Sequence, residues 1–131
     1  MTAELLAEYR RRGWALVPIP AGRKGPVLQG WQTRDFAPGD FPDGCNLGLL
    51  VGPRSGDAVD VDLDCEEALA LADIFLPATD AVFGRAAKPR SHRLYISPGA
   101  VFEAFADPLG KGKSTLLELR AQGATAARIK P

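Results

Sequence analysis

The sequence has little cysteine and histidine and no excess of charge. Two cysteines, one histidine and no Cys-x-x-Cys pair exclude a disulfide scaffold and a zinc module built from Cys and His. The 16 basic and 16 acidic residues give a formal net charge of zero, which argues against a protein that holds nucleic acid by bulk charge alone. No run of about 18 apolar residues occurs, and Glu4 and Glu8 interrupt the stretch where a secretory signal would be apolar. We therefore expect a soluble, cytoplasmic protein with no membrane partner.

The composition that remains is that of a folded domain. Hydrophobic residues make up 46% of the 131 residues and charged residues 24%, which indicates a globular chain with its own core rather than disorder. This length predicts a single domain over residues 1–131. The chain stops after Ile129-Lys130-Pro131 without a closing element, and truncation of the domain at its C-terminus is one interpretation of this ending.

Hydrophobic periodicity and turn residues predict strands mixed with a few helices, an α/β or α+β sheet protein. Thr2 is a candidate N-cap and Gly13 a candidate C-terminal cap of the first helix, and Pro18 places the first strand at a sheet edge. The predicted helices are 2–12, 65–74 and 98–106; the strands are 14–19, 46–52, 57–64, 91–97 and 115–120; the loops are 20–44 and 75–90, with a turn at 111–113.

Acidic residues dominate the strand predicted at 57–64. Its alternation predicts four carboxylates on one face, and we single out Asp60, Asp62 and Asp64. Like charges two residues apart repel each other and Asp has a poor strand propensity, so this pattern is costly unless a cation lies between the carboxylates. Hard oxygen ligands select Mg²⁺ or Mn²⁺. The alternative is that Asp64 is the N-cap of the following helix and that Asp60 is simply solvated.

Glu118 is a candidate third acid for such a site. It lies among leucines in the last predicted strand, where it either faces solvent or is drawn into a site, and the pattern alone favours neither.

His92 is the single histidine, and a lone histidine is more often a surface or core residue than a ligand. Its neighbours are Lys88, Arg90, Ser91 and Arg93. Cations, a hydroxyl and an imidazole at the start of a strand suit nucleotide phosphates. Acids for a metal together with basic groups for phosphate are typical of metal-assisted phosphoryl or nucleotidyl transfer.

Three further features have a structural and a functional interpretation. The Arg10-Arg11-Arg12 run is either a solvated last helical turn or a phosphate contact. Trp31 is either an apolar plug for the long loop or a surface on which a base stacks. Arg23 and Lys24 form a basic patch in that loop, which is long enough to suggest a functional role.

In this arrangement the chain resembles the primase–polymerase (Prim-Pol) domain, the N-terminal type of bifunctional DNA primase/polymerases in the archaeo-eukaryotic primase superfamily, found in phages, plasmids and prophages. That family has an hDhD strand, an (S/G)xH-type strand and a later strand with one acid; the second motif reads Ser91-His92 in this chain, with no residue between the serine and the histidine. The similar stretches are Val61-Asp62-Leu63-Asp64, Ser91-His92-Arg93-Leu94-Tyr95 and Leu117-Glu118-Leu119-Arg120, with Gly22-Arg23-Lys24-Gly25-Pro26, Gly30-Trp31 and Asn46 to Gly56 in flanking segments. The acid pair fits in either register, Asp60/Asp62 or Asp62/Asp64.

The resemblance implies an RRM-like mixed or antiparallel sheet joined to a small N-terminal α/β unit, with the active site in the cleft between them. It implies a DNA-directed nucleotidyltransferase with two divalent ions, Mg²⁺ or Mn²⁺, held by Asp62, Asp64 and Glu118, with Asp60 as a further candidate. His92 would act in catalysis and, with Ser91, Arg90 and Lys88, contact a dNTP or NTP. Arg23, Lys24 and Trp31 would contact a single-stranded DNA template, and a helicase domain or protein is an expected partner.

Three alternatives remain open at this point. One is a metal-dependent nuclease of RRM-like fold, although a His-x-His pair and a catalytic tyrosine beside basic residues are missing. Another is a non-catalytic module that binds a nucleotide or a single strand, a degenerate primase. The last is a structural domain whose acids only cap and solvate.

Overall fold

The computed structural model describes residues 3–112, 114–122 and 127–129. It contains two helices and two antiparallel sheets, an α+β architecture. In chain order the elements are α1 (Ala3–Arg11), β1 (Leu16–Ile19), β2 (Asn46–Leu49), β3 (Ala58–Leu63), α2 (Glu66–Phe75), β4 (Val82–Arg85), β5 (Lys88–Ile96), β6 (Glu103–Ala106), β7 (Thr115–Arg120) and β8 (Ala127–Ile129). Neither helix in the described residues is long and apolar enough to cross a bilayer.

The first sheet and α1 form a small N-terminal unit. Its strand order is β1-β2-β8, so β1 is an edge strand, as Pro18 predicts, because proline cannot donate to a second neighbour. Gly13 has a φ of +79° just after α1, which confirms its predicted place after the helix. The predicted cap Thr2 lies outside the described residues.

Residues 20–44 connect β1 to β2 with one short 3₁₀ turn at Pro38–Asp40, which confirms the predicted loop. Phe36 and Phe41 are buried in the core of the N-terminal unit, and Trp31 packs against that core. The loop is therefore held down by its aromatic side chains.

The second sheet has the order β4-β5-β3-β7-β6, and its neighbours all pair antiparallel. The acidic strand β3 is central, between β5 and β7. Because side chains alternate across a sheet, Val61 and Leu63 face α2 and pack in one core cluster with Ala72. Ala58 belongs instead to the core of the N-terminal unit. The even-numbered face of β3 is thus the face that meets this unit.

Four expectations about elements are wrong or incomplete. Asp57 has a φ of +63° and precedes β3, so three aspartates share the face rather than four.

The predicted helix at 98–106 is wrong, because β6 pairs there with β7, with Phe105 opposite Leu117. Pairing to an exposed sheet edge overrides local helix propensity. The predicted loop at 75–90 contains β4 and the start of β5, a hairpin. Helix α2 is capped by the Cys65 side chain rather than by Asp64.

A glycine in β4 permits the close approach of the hairpin strands. A Cβ at Gly84 would lie against the carbonyl oxygen of Lys88 and 2.8 Å from the backbone nitrogen of Arg90. These contacts are backbone atoms, which cannot move aside as a side chain can. The left-handed Arg90, with a φ of +58°, belongs to the same irregular segment.

We expect Gly84→Ala to lower the free energy of unfolding by about 2–3 kcal/mol, because the added methyl overpacks against backbone. Urea unfolding followed by circular dichroism measures this. Gly25→Ala is the matched control, since its Cβ meets nothing within 4 Å, and it should change stability by less than about 1 kcal/mol. Equal stability of the two variants would contradict the packing described here.

Candidate active site

Three carboxylates meet where β3 ends beside β7. Asp62 pairs directly with Glu118 across the two strands, and the Asp64 N–H donates to the Leu116 carbonyl at 2.8 Å, which extends the ladder. Asp62 and Asp64 lie two residues apart and so point to one side. One carboxylate oxygen from each of Asp62, Asp64 and Glu118 lies within 4.8 Å of the others. The predicted acid triad is confirmed as a cluster, and the Asp62/Asp64 register is the one that forms it.

Two cations neutralise part of this cluster. The Lys88 Nζ lies 3.3 Å from an Asp64 oxygen and 4.0 Å from Asp62. The Arg120 guanidinium lies 2.6 Å from Asp62 and 3.1 Å from Glu118. Three carboxylates against two cations leave the group with an excess of negative charge.

The electrostatics of the cluster reflect its burial. Burial raises the pKa of Asp62 and outweighs the opposing effects of His92 and Arg120. Burial alone would lower the pKa of Arg120, but Asp62 and Glu118 hold it above its ordinary value. Asp62 is therefore a carboxylate whose charge is incompletely compensated, and a bound cation would stabilise it.

Arg120 was not among the residues that we singled out from the sequence. Its signal was present, because a side chain two positions after Glu118 on a strand lies on the same face. Lys88 was expected at nucleotide phosphates, and the structure places it on the carboxylates.

His92 lies beside the acids on the neighbouring strand β5, opposite Asp62. Its Nδ1 is 2.9 Å from Asp60 Oδ2, and an ionised carboxylate only accepts, so Nδ1 carries the donated proton. The ring stacks on Phe83 with centroids 5.0 Å apart. These two contacts fix the imidazole, and Nε2 points away from Asp60.

Asp60 is not part of the acid cluster found among the described residues. Its side chain is fully buried and accepts from His92. The expectation that Asp60 is a further metal ligand is therefore corrected. Asp60 lies two residues before Asp62 on β3, where its carboxylate contacts the histidine instead of the other acids.

The structure does not bring Ser91 and Arg90 to the acids. Ser91 directly precedes His92 on β5, so its side chain points to the α2 face. It is buried and donates to the Lys88 carbonyl at 3.0 Å. Arg90 lies 3.6 Å from Asp73 of α2, the carboxylate that Arg93 contacts at 2.7 Å. That contact with Arg93 holds the pKa of Asp73 below its ordinary value.

The predicted template residues lie in the loop after β1. Arg23 and Lys24 are exposed. Trp31 is half-buried against the N-terminal core, which supports its interpretation as an apolar plug.

These residues define a class of site. Carboxylates from two adjacent strands, with a lysine and an oriented histidine at their edge, suit hard divalent cations and phosphate groups on an antiparallel α+β scaffold. A family model described as the N-terminal domain of bifunctional DNA primase/polymerases, Prim-Pol, matches residues 6–129. The chain belongs to this family. Membership implies primase/polymerase activity, with a DNA template and nucleotides as substrates. Comparison with curated proteins gave no match, and comparison with solved structures gave none either.

We expect Mn²⁺ to raise the melting temperature of the protein through the acid cluster. At a Mn²⁺ concentration about ten times the dissociation constant, binding contributes ~1.4 kcal/mol, which corresponds to about 4 °C or more in a domain of this size. Asp64→Asn should abolish most of this shift, measured by differential scanning fluorimetry against the same variant in EDTA.

Glu103→Gln is the control for the loss of one acid. Glu103 lies on β6 opposite Leu119, on the α2 face, so its removal should leave the Mn²⁺ shift intact. Equal shifts in wild type and Asp64→Asn would show that the cluster does not bind the ion.

Proposed function

We propose that the protein is a DNA-directed nucleotidyltransferase that makes or extends primers on a single-stranded DNA template. The convergence of Asp62, Asp64 and Glu118 carries this proposal. Family membership supports the reaction class, and the clustering of the three carboxylates supports the choice of side chains.

The donor set fits two divalent ions of the Mg²⁺ or Mn²⁺ type. All three groups are carboxylates, the ligands that these hard cations prefer, and Glu118 comes from a different strand from the aspartates. Asp62, Asp64 and Glu118 are the residues that would hold these ions. When bound, the ions lower the pKa of the attacking 3′-hydroxyl and stabilise the charge on the leaving pyrophosphate.

Lys88 has a second role in this proposal. If a cation replaced it at Asp64, the Lys88 ammonium would be free for the triphosphate of the incoming dNTP or NTP. Its position at the edge of the cluster, with the Nζ 3.3 Å from Asp64, supports this exchange of partners. A flexible stem and a compact charge suit such a movement.

His92 is the proposed hydrogen-bond donor to a phosphate group of the nucleotide. Nδ1 donates a hydrogen bond to Asp60 and Phe83 holds the ring plane, so Nε2 is presented in one orientation. In the imidazolium form both ring nitrogens donate, so His92 in that form would donate from Nε2 to a phosphate oxygen of the nucleotide, with Asp60 as a positioning residue for it.

The same proposal assigns the fold more finely. The five-stranded sheet with α2 corresponds to the RRM-like core of archaeo-eukaryotic primases, and α1 with the first sheet to the N-terminal unit. The acids and His92 lie on the sheet face that this unit meets, which supports an active site between the two parts.

Glu118→Gln should reduce Mn²⁺-dependent incorporation of dNTPs on a primed single strand by about 100-fold or more. Removing one ligand costs several kcal/mol of transition-state stabilisation, and each 1.36 kcal/mol is a factor of ten in rate. Gel electrophoresis of a 5′-labelled primer measures extension, and Glu103→Gln is the control of equal charge change. Unchanged extension in Glu118→Gln would refute the assignment.

The same gel distinguishes the alternatives. Shortening of the labelled strand in place of extension identifies a nuclease. Binding of the template without extension or cleavage identifies a non-catalytic module.

His92→Ala should raise the KM for the incoming dNTP by about tenfold, because one charge-assisted hydrogen bond to phosphate is lost. The KM for primer–template should stay within about twofold, since His92 is proposed to contact the nucleotide alone. Steady-state extension with each substrate varied in turn measures both values. An unchanged KM for dNTP would remove His92 from the nucleotide site.

A further inference from the structure

A second charged region lies in the N-terminal unit, away from the acid cluster. A cleft of about 500 Å³ is lined by residues of the end of α1, of β1 and of the long loop. Three arginines line it from separate parts of the chain: Arg10 in α1, Arg34 in the loop and Arg54 in the 3₁₀ turn before β3. None of the acid-cluster residues lines this cleft.

The three guanidinium groups converge on one loop segment, residues 32–36. Arg10 donates to the Phe36 carbonyl. Arg54 donates to the Gln32 carbonyl at 2.9 Å and pairs with Asp35. The Arg34 guanidinium lies 4.9 Å from the centre of the Phe36 ring. The arginines are therefore held in defined positions around the cleft.

Their charge is only partly compensated. Asp35 is the single acid among the residues that line the cleft, and its side chain is 96% exposed. Arg34 also pairs with Asp40 at 3.2 Å, but both side chains are substantially solvent-accessible. Exposed ion pairs of this kind are weak, so a phosphate can replace the carboxylate.

The chemistry of the lining suits a phosphodiester chain. Guanidinium groups bind phosphate oxygens in a planar, two-bonded geometry. Trp14 adds an aromatic wall to the cleft and stacks on Tyr9 with ring centroids 5.2 Å apart. Arginines beside an aromatic ring are the combination that single-stranded nucleic acid binds.

The cleft and the acid cluster are at opposite ends of β3. Arg54 precedes the strand, whereas Asp64 directly follows it. Six residues of strand span about 20 Å. A ligand in the cleft is therefore distinct from a nucleotide at the carboxylates.

We propose that this arginine cleft binds the phosphates of single-stranded DNA, as a strand-holding site separate from the acid cluster. The polyanion that the family implies for this chain is a DNA template. The binding needs no divalent ion and no catalytic carboxylate, so it stands or falls separately from the catalytic proposal.

The sharpest test is Asp35→Asn, because it should increase affinity. Loss of the exposed acid releases Arg54 and adds one net positive charge at the cleft. Binding of a fluorescein-labelled 20-nucleotide oligo(dT) is measured by anisotropy in EDTA, so that no reaction occurs. We expect the dissociation constant to fall about threefold, and Asp80→Asn, an exposed acid that does not line the cleft, to leave it near the wild-type value.

Arg54→Gln tests the same contact in the opposite direction. The dissociation constant should rise about fivefold or more, and the slope of its logarithm against log salt should decrease by about 0.7 for one lost phosphate contact. Lys111→Gln, at an exposed position outside the cleft, controls for the charge. In the Arg54→Gln background, Asp35→Asn should tighten binding less than it does in the wild type, because only the change of net charge then remains; a merely structural role of Arg54 would leave the two effects equal.

Two results overturn the proposal. One is that Asp35→Asn matches Asp80→Asn while Arg54→Gln matches Lys111→Gln, since the cleft then makes no contact with the strand. The other is displacement of the oligonucleotide by 1 mM dATP in EDTA, which would assign the cleft to a free nucleotide. If Glu118→Gln loses primer extension but binds the oligonucleotide as the wild type does, the strand-holding proposal is supported. Its outcome is then separate from that of the catalytic proposal.

Discussion

The structure depends on how like charges are held together at the end of the central strand. The pairing of β3 with β7 places Asp62 beside Glu118, and the alternation of β3 adds Asp64 to the same side. Mutual repulsion would oppose this arrangement. Lys88 from β5 and Arg120 from β7 offset it in the protein without metal. The site is thus already organised for cations, because cationic side chains occupy positions beside the carboxylates.

The two faces of the five-stranded sheet divide the basic residues of β5 between different tasks. His92 and Lys88 reach the acid cluster, whereas Ser91 and Arg93 lie on the α2 side. The close approach of Gly84 and the left-handed conformation of Arg90 shape the hairpin that presents Lys88. A short basic sequence thus serves both the site and the packing of the helix, through strand alternation and one irregular hairpin.

The zero net charge of the chain conceals a separation of charge. Negative charge is concentrated where β3 ends, and arginines gather around the cleft where β3 begins. Nucleic-acid affinity depends on local positive surface rather than on the sum over the chain. The neutral sum of charges is therefore compatible with separate acidic and basic regions on one chain.

The local patterns of the sequence were sufficient for the first helix, the acidic strand, α2 and the strand that carries Glu118. They also brought Asp62, Asp64 and His92 forward as candidates, since a costly run of aspartates is visible without a structure. They were insufficient for β6, for the hairpin of β4 and β5 and for the partner of Asp60. The partners of β6 and of Asp60 lie further along the chain, whereas β4 and β5 form a local hairpin, with Arg85 opposite Lys88, whose register is irregular. The sequence left undecided whether Glu118 faces solvent or the aspartates. Only the register between β3 and β7 determines the orientation of Glu118, because hydrogen-bonded strand pairing places two side chains beside each other regardless of their separation along the chain.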